Sequence, residues 1–422
     1  MKKLLLILLC LPMIGFGQNV IIPDANFKAY LVGNLLINTN GDTEIQVSEA
    51  AVFNGVINCG ALNISDLTGI EAFTALTELY CNGNQLTSLD VSQNTALIQL
   101  ICSHNQLTSL DVSNNTAFLN ILICDNNQLT SLDVSNNLVL MMLNCSGNPL
   151  TSLDISYNTD LERLDCYSNQ LTSLDVSNNL ALTYLKCHSN QLSNLDVSNN
   201  LALNELYCGF NPLTSLDVSN NIALTELYCN DNQLTSLDVS ANTALTSLNC
   251  FLNQITSLDV SSNLALIYLT CSSNQLTSLD VSQNTALTSL YCYNNQLTSL
   301  DVSTNLALTS LYCYNNQLTS LDVRNGNNTN FYQLDATDNP KLYCINVDDT
   351  AWSATNWTFA NNNIDAQHYF SNNCSTTAIE EHTTNKELLK VTDLLGRETK
   401  QTNQPLFYIY DDGTVEKRIV IE

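Results

Sequence analysis

The chain has 422 residues, with 13 Lys and Arg against 40 Asp and Glu for a formal net charge of -27, and a mean hydropathy of +0.00 with 45% hydrophobic residues. That is a composition able to fold around a large core, unlike a disordered acidic tail. The charge excludes nucleic acid and anionic membrane surfaces as partners, because both require a basic stripe to displace counterions.

Residues 1–17 open with Lys2 and Lys3, continue through an apolar run from Leu4 to Leu11, and close on Gly15, Phe16 and Gly17. This is the layout of a secretory signal cleaved after Gly17. The run is too short to span a bilayer, and no transmembrane segment is expected in the mature protein. Residues 18–75 read as an N-terminal cap: Pro23 to Leu36 has helical apolar spacing at Phe27, Tyr30, Leu31 and Leu35, and Val47 to Phe53 suits a second short helix. Between them, residues 38–49 resemble an EF-hand calcium loop, with Asn38, Asn40, Asp42, Glu44 and Glu49 as the candidate ligand set. Position one is Asn where Asp is usual, and Thr43 stands where the sharp turn takes glycine. Calcium is therefore a possible cofactor, and a polar turn between two cap helices is the other reading.

From Cys81 to Cys313 cysteines recur every 21 residues, with one step of 22 between Cys102 and Cys124. A period of this kind marks a repeat architecture before it marks any chemistry. Residues 76–96 read LTELYCNGNQLTSLDVSQNTA, and about 12 copies fill residues 76–328. Leu79 and Cys81 alternate with Glu78 and Tyr80, and Leu89 and Val91 alternate around Asp90, so each copy offers two short strand-like segments with one face buried. One copy alone cannot bury enough apolar surface to offset the ordering of its backbone; stacked copies share their faces and can.

The LxxLxCxxN half resembles the leucine-rich-repeat signature with cysteine in the third apolar slot, and the LDVSxN half resembles the nested 21-residue bacterial class called IRREKO. The resemblance implies a mainly β, right-handed leucine-rich-repeat solenoid with a parallel sheet on its concave side. It also implies a ladder of asparagines, Asn84, Asn105, Asn127 and their equivalents, bonding backbone groups between turns. In-register strands hold equivalent Cβ atoms about 4.8 Å apart, beyond the roughly 3.5 to 4.5 Å of a disulfide, so the ladder cysteines are expected as buried free thiols. Cys344 and Cys374 lie outside the repeat, beside Trp352 and Trp357, and are candidates for a disulfide in an exported chain.

Residues 329–374 read as a degenerate last repeat and C-terminal cap, keeping Phe331, Leu334, Ala336 and Asn339 in repeat spacing but dropping the cysteine. Residues 375–385 are a polar linker. Residues 386–422 alternate like short strands, with a hairpin signal at Asp412 and Gly413. Through the VTDLLGRE segment and the KRIVIE ending this tail resembles the type A C-terminal sorting domain of the Bacteroidetes type IX secretion system. The resemblance implies contact with that machinery, removal of the tail, and a mature protein that is secreted or held at the outer-membrane cell surface.

No nucleophile elbow, phosphate-binding glycine loop or His-paired nucleophile appears, so catalysis is not expected. Two surfaces remain. One is an aspartate row, Asp90, Asp111 and onward to Asp322, explained either by bonding to neighbouring Ser, Thr and backbone groups or by divalent cations. The other is the concave face, with Tyr80, Tyr167, Tyr184 and Tyr268 beside the candidate binding residues Tyr207, Tyr228, Tyr291, Tyr293, Tyr312 and Tyr314, together with Phe210 and Phe251. Tyrosine is both a favoured recognition anchor and a good strand residue. The expected function is a non-catalytic, adhesin-like binding protein for an extracellular protein or glycan; the alternative is a structural, cation-bridged surface spacer or surface-layer component.

Overall fold

The computed structural model describes residues 18–374, 388–392, 397–399, 405–410 and 415–419; the segments read as signal sequence and linker, and the expected turn at Asp412 and Gly413, lie outside these. The chain separates into two units, Met1–Asn372 and Asn373–Glu422.

The first unit is built on a 14-stranded parallel sheet, one three-residue strand per turn. Twelve strands, from Glu78–Tyr80 to Ser310–Tyr312, are the expected repeats. The sheet extends one turn further at each end, through Val56–Asn58 and Gln333–Asp335. Val56–Asn58 belongs to the segment read as cap; its Ile57 and Cys59 carry the buried repeat pattern without the full signature. Pairing is in strict register, with Leu227 opposite Leu206 and Leu248. A single residue of slip would turn every inward leucine outward.

In most repeats only the first half forms a regular ladder. In the second half Asp Oδ1 accepts the N–H of Ser two residues on, at 2.9 Å in Asp90 and Asp175 alike. The same Asx turn follows Asp301, where a regular strand precedes it, whereas Asp90 and Asp111 meet only as an isolated bridge. Regular strands appear at Ser299–Asp301 and Ser320–Asp322, where Cys344–Asn346 and Tyr369–Ser371 complete a 4-stranded parallel sheet.

Two asparagine ladders run the length of the turns. In the first, the expected one, Asn211 Nδ2 donates to the Cys187 and Cys208 carbonyls at 3.1 Å, and its Oδ1 accepts the Leu192 N–H at 3.0 Å. The second uses the asparagine ten residues on: Asn221 Nδ2 donates to the Val197 and Asn200 carbonyls at 2.9 Å. Its Oδ1 is buried without a partner, as is that of every equivalent residue from Asn94 to Asn305. Thirteen cysteines, Cys59 and the twelve of the ladder, are buried free thiols. Cys344 and Cys374 are disulfide-bonded.

The turn after each ladder cysteine places its second residue in left-handed backbone. Gly83 and Gly147 suit this, but Phe210 and Leu252 adopt φ of 53° and 54°. Their side chains are exposed, so nothing in the core repays the strain. Phe210→Gly and Leu252→Gly are each expected to stabilise the protein by about 1 kcal/mol, read as a raised denaturant midpoint at unchanged slope.

The caps follow simple chemistry. The first helix spans Ala25–Gly33, capped by Asp24 Oδ1, which accepts the Asn26 and Phe27 N–H groups. Asp24 Oδ2 also binds the Ser65 N–H and hydroxyl, tying the cap to the first turn. The helix is shorter than its apolar spacing suggested: Leu35 and Leu36 lie beyond it and are exposed. At the other end a helix at Thr350–Asn356 brings Trp352 edge-on to Trp357, which also packs on Phe331. In the second unit Leu388–Thr392, Pro405–Tyr410 and Val415–Ile419 form a 3-stranded antiparallel sheet.

Candidate functional site

Each of the twelve repeat strands turns its middle leucine and the following cysteine inward, leaving three outward columns: the first strand residue, the third, and the residue after the cysteine. Tyr184 and Tyr268 stand in the first column, Tyr80, Tyr207, Tyr228, Tyr291 and Tyr312 in the second, and Tyr167, Tyr293 and Tyr314 in the third. All ten tyrosines are half-buried. Phe251 shares the third column, but Phe210 does not reach the face: it sits one residue later, in the left-handed turn. Sequence spacing alone missed this because one position separates the sheet face from the turn.

The rings touch from turn to turn. Tyr184 lies 5.9 Å from Tyr207, which stacks on Tyr228 at 4.8 Å; Tyr268 meets Tyr291 edge-on at 5.4 Å, and Tyr293 stacks on Tyr314 at 4.5 Å. Phe251 and Tyr293 stand two turns apart, yet their centroids approach to 6.2 Å. Ser272, between them in the column, is fully buried, and its hydroxyl has no partner.

Charge divides this face. Around the middle turns the Tyr207 hydroxyl donates to Glu226 at 2.5 Å and to Glu205 at 3.1 Å. Burial and these carboxylates raise the Tyr207 phenol well above its ordinary value. Tyr80 is pushed up to about 12, chiefly by its hydrogen bond to Glu78. His188 stacks on Tyr167 at 4.6 Å, and burial lowers its pKa, with Lys186 adding to the effect. From Ser247 to Tyr314 all three columns are uncharged, filled by Tyr, Phe, Ser, Thr and Asn.

A depression of about 500 Å³ was not legible from the repeat. The 22-residue copy carries one extra residue, Phe118, and the backbone accommodates it by exposing the ring beside Val139 and Met141, with Asp160 and Glu162 at the rim.

The candidate calcium loop is committed to internal bonds. Glu49 Oε1 accepts the Thr39 N–H and hydroxyl at 2.8 Å and the Asn40 N–H at 3.1 Å, while Oε2 accepts the Gln46 N–H at 3.0 Å. Burial would raise its pKa, but these donors outweigh burial and hold it below the usual range. Asn38 Oδ1 accepts the Gly41 N–H, Asn40 donates to Asp42, Asp42 Oδ1 accepts the Glu44 N–H, and Glu44 binds Lys28 at 2.7 Å. Among the described residues no three His, Cys, Asp or Glu side chains gather as a metal-holding group. Glu49 also closes the capping box of the Val47–Val52 helix. Glu49→Ala is expected to cost about 2 kcal/mol through the donors it strands, with the melting temperature of both proteins insensitive to calcium.

The aspartate row likewise has local partners. Bonding to the Ser92 and Ser177 side chains and N–H groups lowers the carboxyl pKa of Asp90 and Asp175.

No protein-family profile matches the chain. The functional domain of InlJ from Listeria monocytogenes, a structure that includes a cysteine ladder, aligns with a TM-score of 0.68 and 33% identity over 94% of this chain and 96% of that one. The chain belongs to the internalin-type leucine-rich-repeat family. A 72-residue segment is 41% identical to Internalin J of L. monocytogenes, covering 17% of this chain and 8% of that protein, so the segment matches a small part of the relative's full length. Two further structures share the fold. An internalin (InlF) of L. monocytogenes has a TM-score of 0.62 and 21% identity over 86% of this chain and 99% of its own. A leucine-rich-repeat protein of Leptospira interrogans has 0.58 and 20% over 77% and 97%. Within this internalin-type chain, no helix among the described residues is long and apolar enough to cross a membrane.

Proposed function

We propose that the protein is an exported, non-catalytic binding module of adhesin type, which engages an extracellular protein through the tyrosine-lined face of its long sheet. The observation that carries this reading is a pair of aromatic clusters on one sheet face, Tyr184 to Tyr228 and Phe251 to Tyr314, whose rings touch from turn to turn within each cluster in an otherwise acidic repeat. Half-buried tyrosines on a rigid sheet lose little side-chain freedom on binding and present an apolar body with a polar tip, the makings of interface anchors. A glycan ligand is the other outcome of the test below. Export through the N-terminal signal, and sorting by a type IX machinery through residues 386–422, belong to the same proposal and rest on the sequence resemblance.

The full chain is titrated against a panel of immobilised extracellular proteins and glycans, beside Tyr207→Ser/Tyr228→Ser and Asp196→Asn/Asp217→Asn. The reading expects the tyrosine pair to weaken binding at least about tenfold and the aspartate pair to leave it unchanged. Under the structural spacer reading, calcium drives self-association that the aspartate pair removes and the tyrosine pair does not. The aspartate carboxylates' existing bonds to serine weigh against that second reading.

A further inference from the structure

The tyrosine face holds two aromatic clusters, and among the described residues Lys and Arg side chains fill only one of them. In the first, the Arg163 guanidinium carbon lies 3.8 Å from the Tyr184 ring centre, and Lys186 Nζ lies 5.0 Å from Tyr184 and 4.6 Å from Tyr207. These two are the whole basic complement of residues 76–323, which carry 20 Asp and Glu against them for a net of -18.

In the second cluster Tyr291, Tyr293, Tyr312 and Tyr314 line a depression of about 330 Å³. Tyr293 and Tyr314 stack at 4.5 Å and 7°, while Tyr291 and Tyr312 meet edge-on at 5.0 Å and 79°. Among the described residues no Lys or Arg lies over any of the four rings. The charge bordering the box is negative: Asp335 is in register with Tyr312 on the next strand, and it acts electrostatically on both Tyr312 and Tyr314.

We propose that this four-tyrosine box receives a cationic side chain, lysine or arginine, from the protein that docks on the sheet. Aromatic faces carry negative quadrupole charge and attract cations within about 6 Å of the ring centre, arginine most often. The acidic repeat adds a long-range field of the same sense, which draws in a basic partner and screens with salt. The cluster at Tyr184 and Tyr207 shows this face already binding cations in that way. The inference rests on the sheet-face reading above but is separable from it.

The test is fluorine NMR of the full chain labelled with fluorotyrosine, titrated with N-acetyl-arginine amide and N-acetyl-lysine amide and, as neutral counterparts, with the citrulline and acetyl-lysine analogues. The cationic probes are expected to shift resonances assigned to the box and to bind at least roughly fivefold more tightly than the neutral ones. The difference should shrink in Asp335→Asn and at high salt. Tyr293→Leu/Tyr314→Leu should abolish the response, and Tyr291→Phe/Tyr312→Phe, which keeps the rings and the packing, should retain it. Equal affinity for charged and neutral probes, or shifts that survive in Tyr293→Leu/Tyr314→Leu, would overturn the proposal. If the probes ignore the box while Tyr207→Ser/Tyr228→Ser still loses the protein ligand, the inference fails alone. If the probes bind but that pair keeps its ligand, the sheet-face reading fails instead.

Discussion

Raising the pH through 9 to 10 is expected to unfold this protein in one steep step. Thirteen buried free thiols are the cause. Burial pushes Cys59, Cys145, Cys187 and Cys250 up to about 12 and the other ladder cysteines well above their ordinary value. In the unfolded chain a thiol ionises near pH 8.5. Because the folded pKa is the higher one, the native state keeps protons that the unfolded state releases. The thiols' contribution is thus intact below about pH 8.5 and is withdrawn as pH rises toward the folded values. One pH unit above the unfolded pKa each thiol withdraws about 1.4 kcal/mol, so thirteen together remove on the order of 18 kcal/mol. That exceeds the net stability of most domains. Circular dichroism followed against pH measures the midpoint, and a variant with Cys208, Cys229 and Cys250 changed to Ala should shift it upward while losing some stability at neutral pH. A protein still folded at pH 11 would contradict the buried-thiol account.

The second large effect separates the two asparagine ladders. Asn232 Nδ2 donates to the Cys208 and Cys229 carbonyls and its Oδ1 accepts the Leu213 N–H. Asn232→Ala strands the Leu213 N–H in a dry interior, while the two carbonyls keep the bonds from Asn211 and Asn253, and should cost about 2 to 3 kcal/mol. Asn242 makes two comparable donations, to Val218 and Asn221, but its Oδ1 has no partner. Asn242→Ala removes that orphaned oxygen along with the donations, so the expected cost is about 1 to 2 kcal/mol. Guanidinium unfolding of the two variants gives the comparison directly. Both changes sit in central turns, where a weak interface also threatens to split the cooperative transition. Equal costs would mean that the Asn232 oxygen contributes nothing between turns.

Much of this architecture was readable because the 21-residue period repeats its information. Leu79, Cys81 and Asn84 declare an inward leucine, an inward thiol and a backbone-bonding amide, and each equivalent position obeys the same steric logic. Strand-like alternation around Asp90 misled, because alternation reports which side chains point inward and not whether the backbone finds a regular partner; Asp90 meets Asp111 only as an isolated bridge. The second asparagine ladder escaped notice because its residues look like turn formers. The EF-hand-like loop shows the same limit from the other side: its oxygens stand at ligand spacing, but spacing cannot say that Glu49 is occupied by N–H groups from Thr39, Asn40 and Gln46. The tyrosine columns were legible as a face. Which rings touch, and which are covered by Arg163 and Lys186, depended on side-chain geometry between turns.

The central claim is that the tyrosine face of the long sheet is where a partner sits. Hydroxyl-radical footprinting tests it most directly, since tyrosine is readily oxidised and its modification can be read residue by residue. The full chain is footprinted alone and with the extracellular protein that the panel identifies. Tyr207, Tyr228, Tyr268, Tyr291, Tyr293, Tyr312 and Tyr314 are expected to lose oxidation on binding, while the exposed Tyr157 and Tyr369 away from this face keep theirs. Protection at Tyr157 or Tyr369, with the sheet tyrosines oxidised as before, would place the partner elsewhere and contradict the account.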